Sequence, residues 1–129
     1  MTDLLEAALA ARDHAHAPYS GYRVGAAVRD RDGRIHAGAN VENAAYPLGL
    51  CAEAAAIAAM VTAGGTAIAE MLVVAEGGQL VTPCGGCRQR IREFAGPATS
   101  IHLAEPGGVL ATVTLGALLP MSFGPDHIR

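Results

Sequence analysis

The alternation of apolar and polar residues predicts a chain of helices and strands. In the segment 4–14, apolar residues recur at helical spacing, and Pro18 prevents that helix from continuing. An alternating pattern follows and predicts a hairpin. Its two strands are 22–29 and 34–40, and a glycine-containing turn at 30–33 joins them.

Helices and strands alternate in the second half of the chain. The almost wholly apolar, alanine-rich segment 51–63 is predicted to be a buried helix that ends at Gly64. A further helix, 82–94, has proline in its first turn and closes at Gly96-Pro97. Two short strands and a last helix are predicted at 71–75, 99–104 and 114–119. This order predicts an α/β fold with a mixed sheet.

The composition fits one small domain that spans residues 1–129. Hydrophobic residues make up 51% of the chain but aromatic residues only 4%, and all basic residues are arginines. The net charge of −3 does not favour binding to nucleic acid, no apolar run approaches the length of a membrane span, and the acidic start is unlike a signal peptide. We therefore expect a cytoplasmic protein without nucleic-acid or membrane partners, whose apolar surplus is buried against another copy of the chain.

Three cysteines, Cys51, Cys84 and Cys87, define the candidate chemistry. Their odd number argues against a disulfide framework. A lone Cys-x-x-Cys pair, such as Cys84 with Cys87, fits redox chemistry as well as a metal, but the third cysteine favours zinc, which takes three or four ligands. Both cysteine segments begin predicted helices, whose N-terminal amides stabilise thiolates.

The surroundings of the cysteines indicate a catalytic zinc site. Only three protein ligands are apparent, which leaves a fourth zinc position for water, whereas a structural site would need a fourth ligand. Glu53 follows Cys51 by two residues, in the same first helical turn, where its carboxylate can take a proton from the water and deliver it later. Together with Pro83, these residues match the signature of zinc-dependent nucleobase deaminases.

Several short stretches together carry a resemblance to a known family. In chain order they are Pro18-Tyr19-Ser20, Val24-Gly25-Ala26-Ala27, Asn40-Val41-Glu42-Asn43-Ala44, Cys51-Ala52-Glu53, Pro83-Cys84-Gly85-Gly86-Cys87-Arg88-Gln89, Leu118-Leu119-Pro120 and Phe123-Gly124-Pro125. With them the chain resembles the small, homotetrameric, zinc-dependent cytidine deaminases. The resemblance implies a three-layer α/β/α fold with a mixed five-stranded sheet, one Zn²⁺ per subunit, and active sites shared between the four subunits.

The resemblance also implies a reaction and a role for each site residue. Cytidine or deoxycytidine would be hydrolysed at C4 of the base to the uridine nucleoside and ammonia, with Glu53 as the proton carrier. The Ala52 amide would bind O2 of the base, the Thr82 carbonyl would contact the leaving amino group, and Asn40 with Glu42 would hold the ribose. Rings against the base would come from Tyr22 and a neighbouring subunit's Phe123, and contacts near the 5′-hydroxyl from Ala44 and a neighbour's Tyr46.

Two positions depart from the family pattern. Tyr22 stands where phenylalanine is usual, which keeps the ring but adds a hydroxyl group. Ala54 stands where many members have an arginine that hydrogen-bonds the zinc thiolates, and no other arginine is an obvious replacement, because Arg88 belongs to the ordinary pattern. Three thiolates on Zn²⁺ leave a net negative charge, so Ala54 predicts a less cationic site and a substrate range that differs toward a modified cytosine.

Two alternatives stand beside the leading hypothesis, a cytidine deaminase of pyrimidine salvage. The first is a deaminase of a modified cytidine or an analogue such as blasticidin S, although the stretch from Asn40 to Ala44 favours the cytidine type. The second is a non-catalytic zinc-binding module, which Ala54 favours and the retained Glu53 disfavours.

Overall fold

A five-stranded mixed sheet forms the centre of the molecule, in a computed structural model that describes residues 2–128. Its spatial order is β2-β1-β3-β4-β5. β3 and β4 run parallel, and the other neighbouring strands run antiparallel. The strands are β1 (Gly25–Asp30), β2 (Ile35–Ala39), β3 (Ile68–Val74), β4 (Ser100–Glu105) and β5 (Gly108–Thr114).

Helices cover both faces of this sheet. Helix α1 (Thr2–Arg12) packs against β1, β2 and β3 on one face. The other face carries the remaining helices, α2 (Ala52–Thr62), α3 (Gly85–Phe94) and α4 (Leu115–Leu118). Short 3₁₀ turns occur at Tyr46–Leu48 and Pro125–His127. The three-layer α/β/α fold with a mixed five-stranded sheet is therefore confirmed, and within residues 2–128 no helix combines the length and apolarity that a bilayer crossing requires.

The alternation of side chains along β1 divides the core into two layers. Ala26 and Val28 pack with α2 and α3, whereas Ala27 packs with Leu4 of α1. Contact between α2 and the sheet is especially close at Gly38 of β2, where an added Cβ would lie 2.5 Å from the backbone nitrogen of a residue in α2. This close approach holds the first half of α2 against the sheet.

The structure corrects the element predictions in several places. Strand β5 is not among the predicted strands, because it starts at a glycine and lies at the sheet edge, where only some of its side chains are covered. The predicted helix 82–94 begins only at Gly85, so Pro83 lies before it and not in its first turn, and the predicted last helix shortens to α4. The predicted first strand begins late, at Gly25, because the Asn40 side chain accepts from the Val24 amide at 2.9 Å and donates to the Tyr22 carbonyl at 2.8 Å. The turn after β1 is confirmed, with Gly33 at φ +89°.

Candidate active site

The starts of two helices bring the three cysteines together. Cys51 is the N-cap of α2, Cys84 is the N-cap of α3, and Cys87 lies in the first turn of α3. Their sulfur atoms all lie within 4.8 Å of one another, and among residues 2–128 they form the one cluster of three metal-ligating side chains. A tetrahedral zinc ion with Zn–S bonds of about 2.3 Å holds its sulfurs about 3.8 Å apart, so the donor set fits zinc after a small closure.

The three thiols differ in their surroundings. Burial raises the pKa of the Cys87 thiol, and burial likewise raises the pKa of Cys51. The backbone N–H of Cys87 donates to Cys84 at the start of α3 and lowers the pKa of Cys84. Because a metal binds thiolates, a cation in this cluster would displace the protons that burial retains there.

Glu53 occupies the second position of α2 and is only 5% exposed. Burial raises the pKa of its carboxyl group, while the charge of Arg90 on α3 acts in the opposite direction. A carboxyl group with a raised pKa binds a proton more strongly than an ordinary carboxylate does, which favours its use as a proton acceptor. Its location two residues after a cysteine of this candidate metal site therefore suits a proton carrier.

Arg90 contacts the cysteine cluster directly. Its Nη1 donates to the sulfur of Cys87 at 3.6 Å. The sequence offers no obvious replacement for the arginine missing at Ala54 of α2, but the structure shows that Arg90 of α3 contacts a thiol of the cluster. Its position three residues after Cys87, on the same helix face, is the signal in the sequence that could have revealed it.

Arg88 serves a different purpose from Arg90. Its guanidinium donates to the carbonyl of Pro83, to Oγ1 of Thr82 and to the carbonyl of Leu118, each at 2.8 Å. These bonds tie the segment before α3 to α4. Arg88 thus holds the backbone that carries Thr82 and Cys84.

A cleft of about 380 Å³ opens beside the cysteines. Val24, Val73 and Val81 supply apolar walls, which the sequence does not predict. The cleft brings together most of the predicted site residues: Asn40, Glu42, Tyr46, Cys51, Ala52, Glu53, Thr82 and Cys84. Tyr46 lies here in the cleft of its own chain, whereas the resemblance implied a contact from a neighbouring subunit. Cys87 is fully buried beneath this surface.

Asn40 and Glu42 are oriented by the loop before β1. The Asn40 amide uses its oxygen on Val24 and one N–H on Tyr22. The Glu42 carboxylate accepts from the amides of Tyr19, at 3.0 Å, and Ser20, at 3.1 Å, and also from the Ser20 hydroxyl. Because an amide nitrogen has two N–H groups and a carboxylate about four acceptor positions, one donor and one acceptor remain for a ligand.

Three predicted contacts lie outside the lining of this cleft in the single chain. Tyr22 is 38% exposed, and Ala44 is exposed in the loop before the 3₁₀ turn. Phe123 is 58% exposed and stacks on the ring of His127, with ring centroids 5.3 Å apart. Its carbonyl accepts from the side chain of Gln89 on α3 at 2.9 Å, so the C-terminal segment is anchored to the helix that carries two of the cysteines.

The chain is similar to cytidine deaminases over nearly its whole length. Residues 1–103 match the model of the cytidine and deoxycytidylate deaminase zinc-binding region. The cytidine deaminase of Halalkalibacterium halodurans is 38% identical over 126 residues, which cover 98% of this chain and 96% of that protein. The cytidine deaminase of Mycobacterium tuberculosis H37Rv is 41% identical over 115 residues, which cover 88% of this chain and 82% of that protein.

Solved structures show the same relationship. The crystal structure of cytidine deaminase from Burkholderia pseudomallei superposes with a TM-score of 0.87 at 42% identity, covering 95% of this chain and 98% of that one. The crystal structure of cytidine deaminase from Mycobacterium leprae has a TM-score of 0.81 at 42% identity, covering 93% of this chain and 97% of that one. With the matching fold and a cysteine cluster at the starts of α2 and α3, the chain belongs to the cytidine and deoxycytidylate deaminase zinc-binding family.

Proposed function

We propose that the protein is a zinc-dependent cytidine deaminase that hydrolyses cytidine or deoxycytidine to the uridine nucleoside and ammonia. The observation that carries this proposal is the cleft beside Cys51 and Cys84, with Glu53 among its lining residues. Relatives of similar length that share 38 to 41% of their sequence with this chain are cytidine deaminases, which supports the substrate class.

Zinc would be held by Cys51, Cys84 and Cys87, with one ion for each chain, and when bound it supplies the Lewis acidity that activates water. Glu53 takes the first proton that the attacking water loses and delivers it to N3 of the base, where it stays in the uridine product. It then takes the second proton of that water, from the hydroxyl group at C4, and delivers it to the amino group that departs as ammonia. The burial of Glu53 keeps bulk water from competing for these protons, and the valine walls of the cleft exclude water from the base.

Polar groups at the rim of the cleft orient the nucleoside. The backbone N–H of Ala52, in the first turn of α2, is free of the helical ladder and can donate to O2 of the base. The carbonyl of Thr82 accepts from the amino group that leaves. The remaining N–H of Asn40 and the remaining acceptor position of Glu42 suit a ribose hydroxyl, which accepts one hydrogen bond and donates another.

We propose further that four copies associate and share their active sites. Tyr46 is 75% exposed and Leu48 is 71% exposed beside the cleft, and Phe123 is also exposed, although all three are large and apolar. In such an assembly Phe123 would reach a neighbouring cleft, with Tyr22 and Ala44 close to the bound nucleoside, whereas Tyr46 already lines the cleft of its own chain. Sedimentation at low concentration should then give four times the chain mass of 13.1 kDa, whereas a monomer mass would refute the shared site.

The assignment to cytidine chemistry is tested with zinc-loaded protein and a panel of cytidine, deoxycytidine, cytosine, adenosine and N4-modified cytidines. We expect absorbance loss with the first two, and Glu53→Gln should lower kcat by roughly 10²–10⁴-fold while zinc content stays the same. Glu6→Gln, an exposed change on α1, is the matched control and should leave kcat unchanged.

The other outcomes of the panel discriminate among functions. Turnover of the N4-modified nucleosides alone would assign the protein to an analogue deaminase. Turnover of none, with zinc bound, would favour a non-catalytic zinc module. Activity toward cytidine fits a place in the salvage of pyrimidine nucleosides in the cytoplasm, which is the setting that we propose.

A further inference from the structure

The cysteine centre concentrates negative charge in a small volume. Three thiolates exceed the charge of one Zn²⁺, and Glu53 adds a carboxyl group that lines the same cleft. The N-termini of α2 and α3 offset part of this charge through their free amides. A neighbouring cation would stabilise the thiolates further and would strengthen their hold on the metal.

The three arginines of α3 have different hydrogen-bond partners, and Arg90 differs from the other two in its contact with a cysteine. The guanidinium of Arg88 donates its hydrogen bonds to Thr82, Pro83 and Leu118. Arg92 donates to Ser122 at 2.8 Å and to Asp126 at 2.7 Å, which fastens the C-terminal segment. Arg90 is the α3 arginine that donates to a cysteine sulfur within the described chain, residues 2–128.

The geometry of α3 explains why Arg90 reaches the cluster. Cys87 and Arg90 are three residues apart and therefore lie on the same face of the helix. Side chains on a helix lean toward its N-terminus, so the arginine extends back over the first turn and toward the sulfur of Cys87. No loop or mobile element is needed to form this contact.

The groove between α2 and α3 shows how Arg90 and Ala54 are related. Both residues line this groove, which has a volume of about 420 Å³. Ala54 is 8% exposed and presents only a methyl group there, so the cationic side chain enters the groove from α3 and not from α2. A second arginine at position 54 would place two like charges in one groove.

We propose that Arg90 is a positioning residue for the zinc thiolates, and that it supplies from α3 the positive charge that Ala54 cannot supply from α2. This inference rests on the zinc centre of the proposed function but not on the identity of the substrate. It corrects the expectation of a less cationic site, because the cation comes from a different helix.

The first test measures zinc affinity of the purified apoprotein by competition with a chromophoric chelator, without any substrate. Arg90→Met keeps the length of the side chain and removes its charge, and it should lower zinc affinity by roughly ten- to a hundredfold. Arg90→Lys keeps the charge and should retain most of the affinity. Arg31→Met, an exposed change outside this groove, controls for net charge and should have no effect.

The second test asks whether the charge can be moved back to α2. In the double variant Ala54→Arg with Arg90→Met, zinc affinity should recover to within a few-fold of the original protein. The thiolate-to-metal charge-transfer band of the cobalt-substituted protein should shift in Arg90→Met and return in the double variant, which a purely structural effect on folding would not produce.

The outcomes separate this inference from the proposed function. Unchanged zinc affinity and an unchanged cobalt spectrum in Arg90→Met would overturn the role of Arg90, whatever the enzyme activity. Equal losses in Arg90→Met and Arg90→Lys without recovery in the double variant would also overturn it, because charge would then not be the cause. Tight zinc binding that depends on Arg90, without turnover of any nucleoside, would refute the proposed function alone.

Discussion

Gly38 controls how closely the helix that carries Cys51 and Glu53 packs on the sheet. A Cβ at this position would lie 2.5 Å from the nitrogen of Ala56, 2.6 Å from the Cβ of Ala55 and 2.7 Å from its carbonyl carbon. These atoms belong to the backbone or to the first side-chain carbon of α2, so no rotamer change can remove the clash. The substitution Gly38→Ala must therefore move the helix away from β2.

The size of the effect follows from these distances. Ordinary van der Waals contact begins at about 3.4 Å, so α2 must move by about 0.9 Å relative to β2. Overpacking of this kind costs about 1–3 kcal/mol of unfolding free energy. For a domain of this length, 1 kcal/mol corresponds to roughly 4 °C in Tm, so a decrease of about 4–12 °C is expected.

The same displacement should weaken the metal site. Cys51 moves with α2, whereas Cys84 and Cys87 stay with α3. Zn–S bonds tolerate deviations of about 0.2 Å, so a shift several times larger should lower zinc affinity by at least about tenfold. The expected phenotype is therefore a joint loss of stability and of metal binding.

Thermal unfolding and chelator competition, at a fixed protein concentration, test this reasoning. Gly96→Ala is the matched control, because nothing lies within 4 Å of its added Cβ, and its unfolding free energy should change by less than about 0.5 kcal/mol. Equal Tm values and equal zinc affinities for Gly38→Ala, Gly96→Ala and the original protein would refute the claim that this contact positions α2.

Two further predictions concern buried or anchored carboxylates. His36 and backbone amides hold the pKa of the buried Asp30 at about 2, below its ordinary value of 3.8, so its stabilising effect is complete above that ordinary value and disappears as the pH falls toward 2. In urea unfolding, the free energy of unfolding should therefore fall less steeply between about pH 4 and pH 2 in Asp30→Asn than in the original protein. Parallel curves of unfolding free energy against pH for the two proteins would contradict this. The Ser20 hydroxyl lowers the pKa of Glu42 and orients its carboxylate, so Ser20→Ala should raise KM for cytidine by roughly three- to tenfold with little change in kcat; an unchanged KM would show that Ser20 does not orient the site.

Much of the fold could be predicted from local sequence. The hairpin turn at Gly33 and the helix starts at Cys51 and Cys84 depend on residues adjacent in the chain. Strand β5 could not be predicted in this way, because its glycine start and alternating exposure signal an edge strand only when β4 lies beside it. Its pairing is a long-range property of the sheet.

In the candidate site, too, some features follow from local sequence and others only from tertiary packing. Cys51 with Glu53, and Cys84 with Cys87, are each placed by a single helical turn, so the candidate zinc donors and the candidate proton carrier are predicted from spacing alone. The contact of Arg90 with Cys87 is equally local, because both residues lie on one face of α3. Only the tertiary structure shows that Ala54 of α2 lines the same groove as Arg90. The sequence shows which residues are available, and the packing of α2 against α3 shows which of them meet.

The amino-acid sequence by itself determined the donor set, the carboxyl group beside it and the alternation of helices and strands, because these depend on hydrogen bonds and side-chain periodicity within a turn or two. Only the tertiary structure determined that the two cysteine segments converge, that Asn40 and Glu42 are held by the loop before β1, and that the nearby cation comes from α3. The reason is physical: distances between segments far apart in the chain are set by close packing on the sheet, as at Gly38, and no local pattern encodes them.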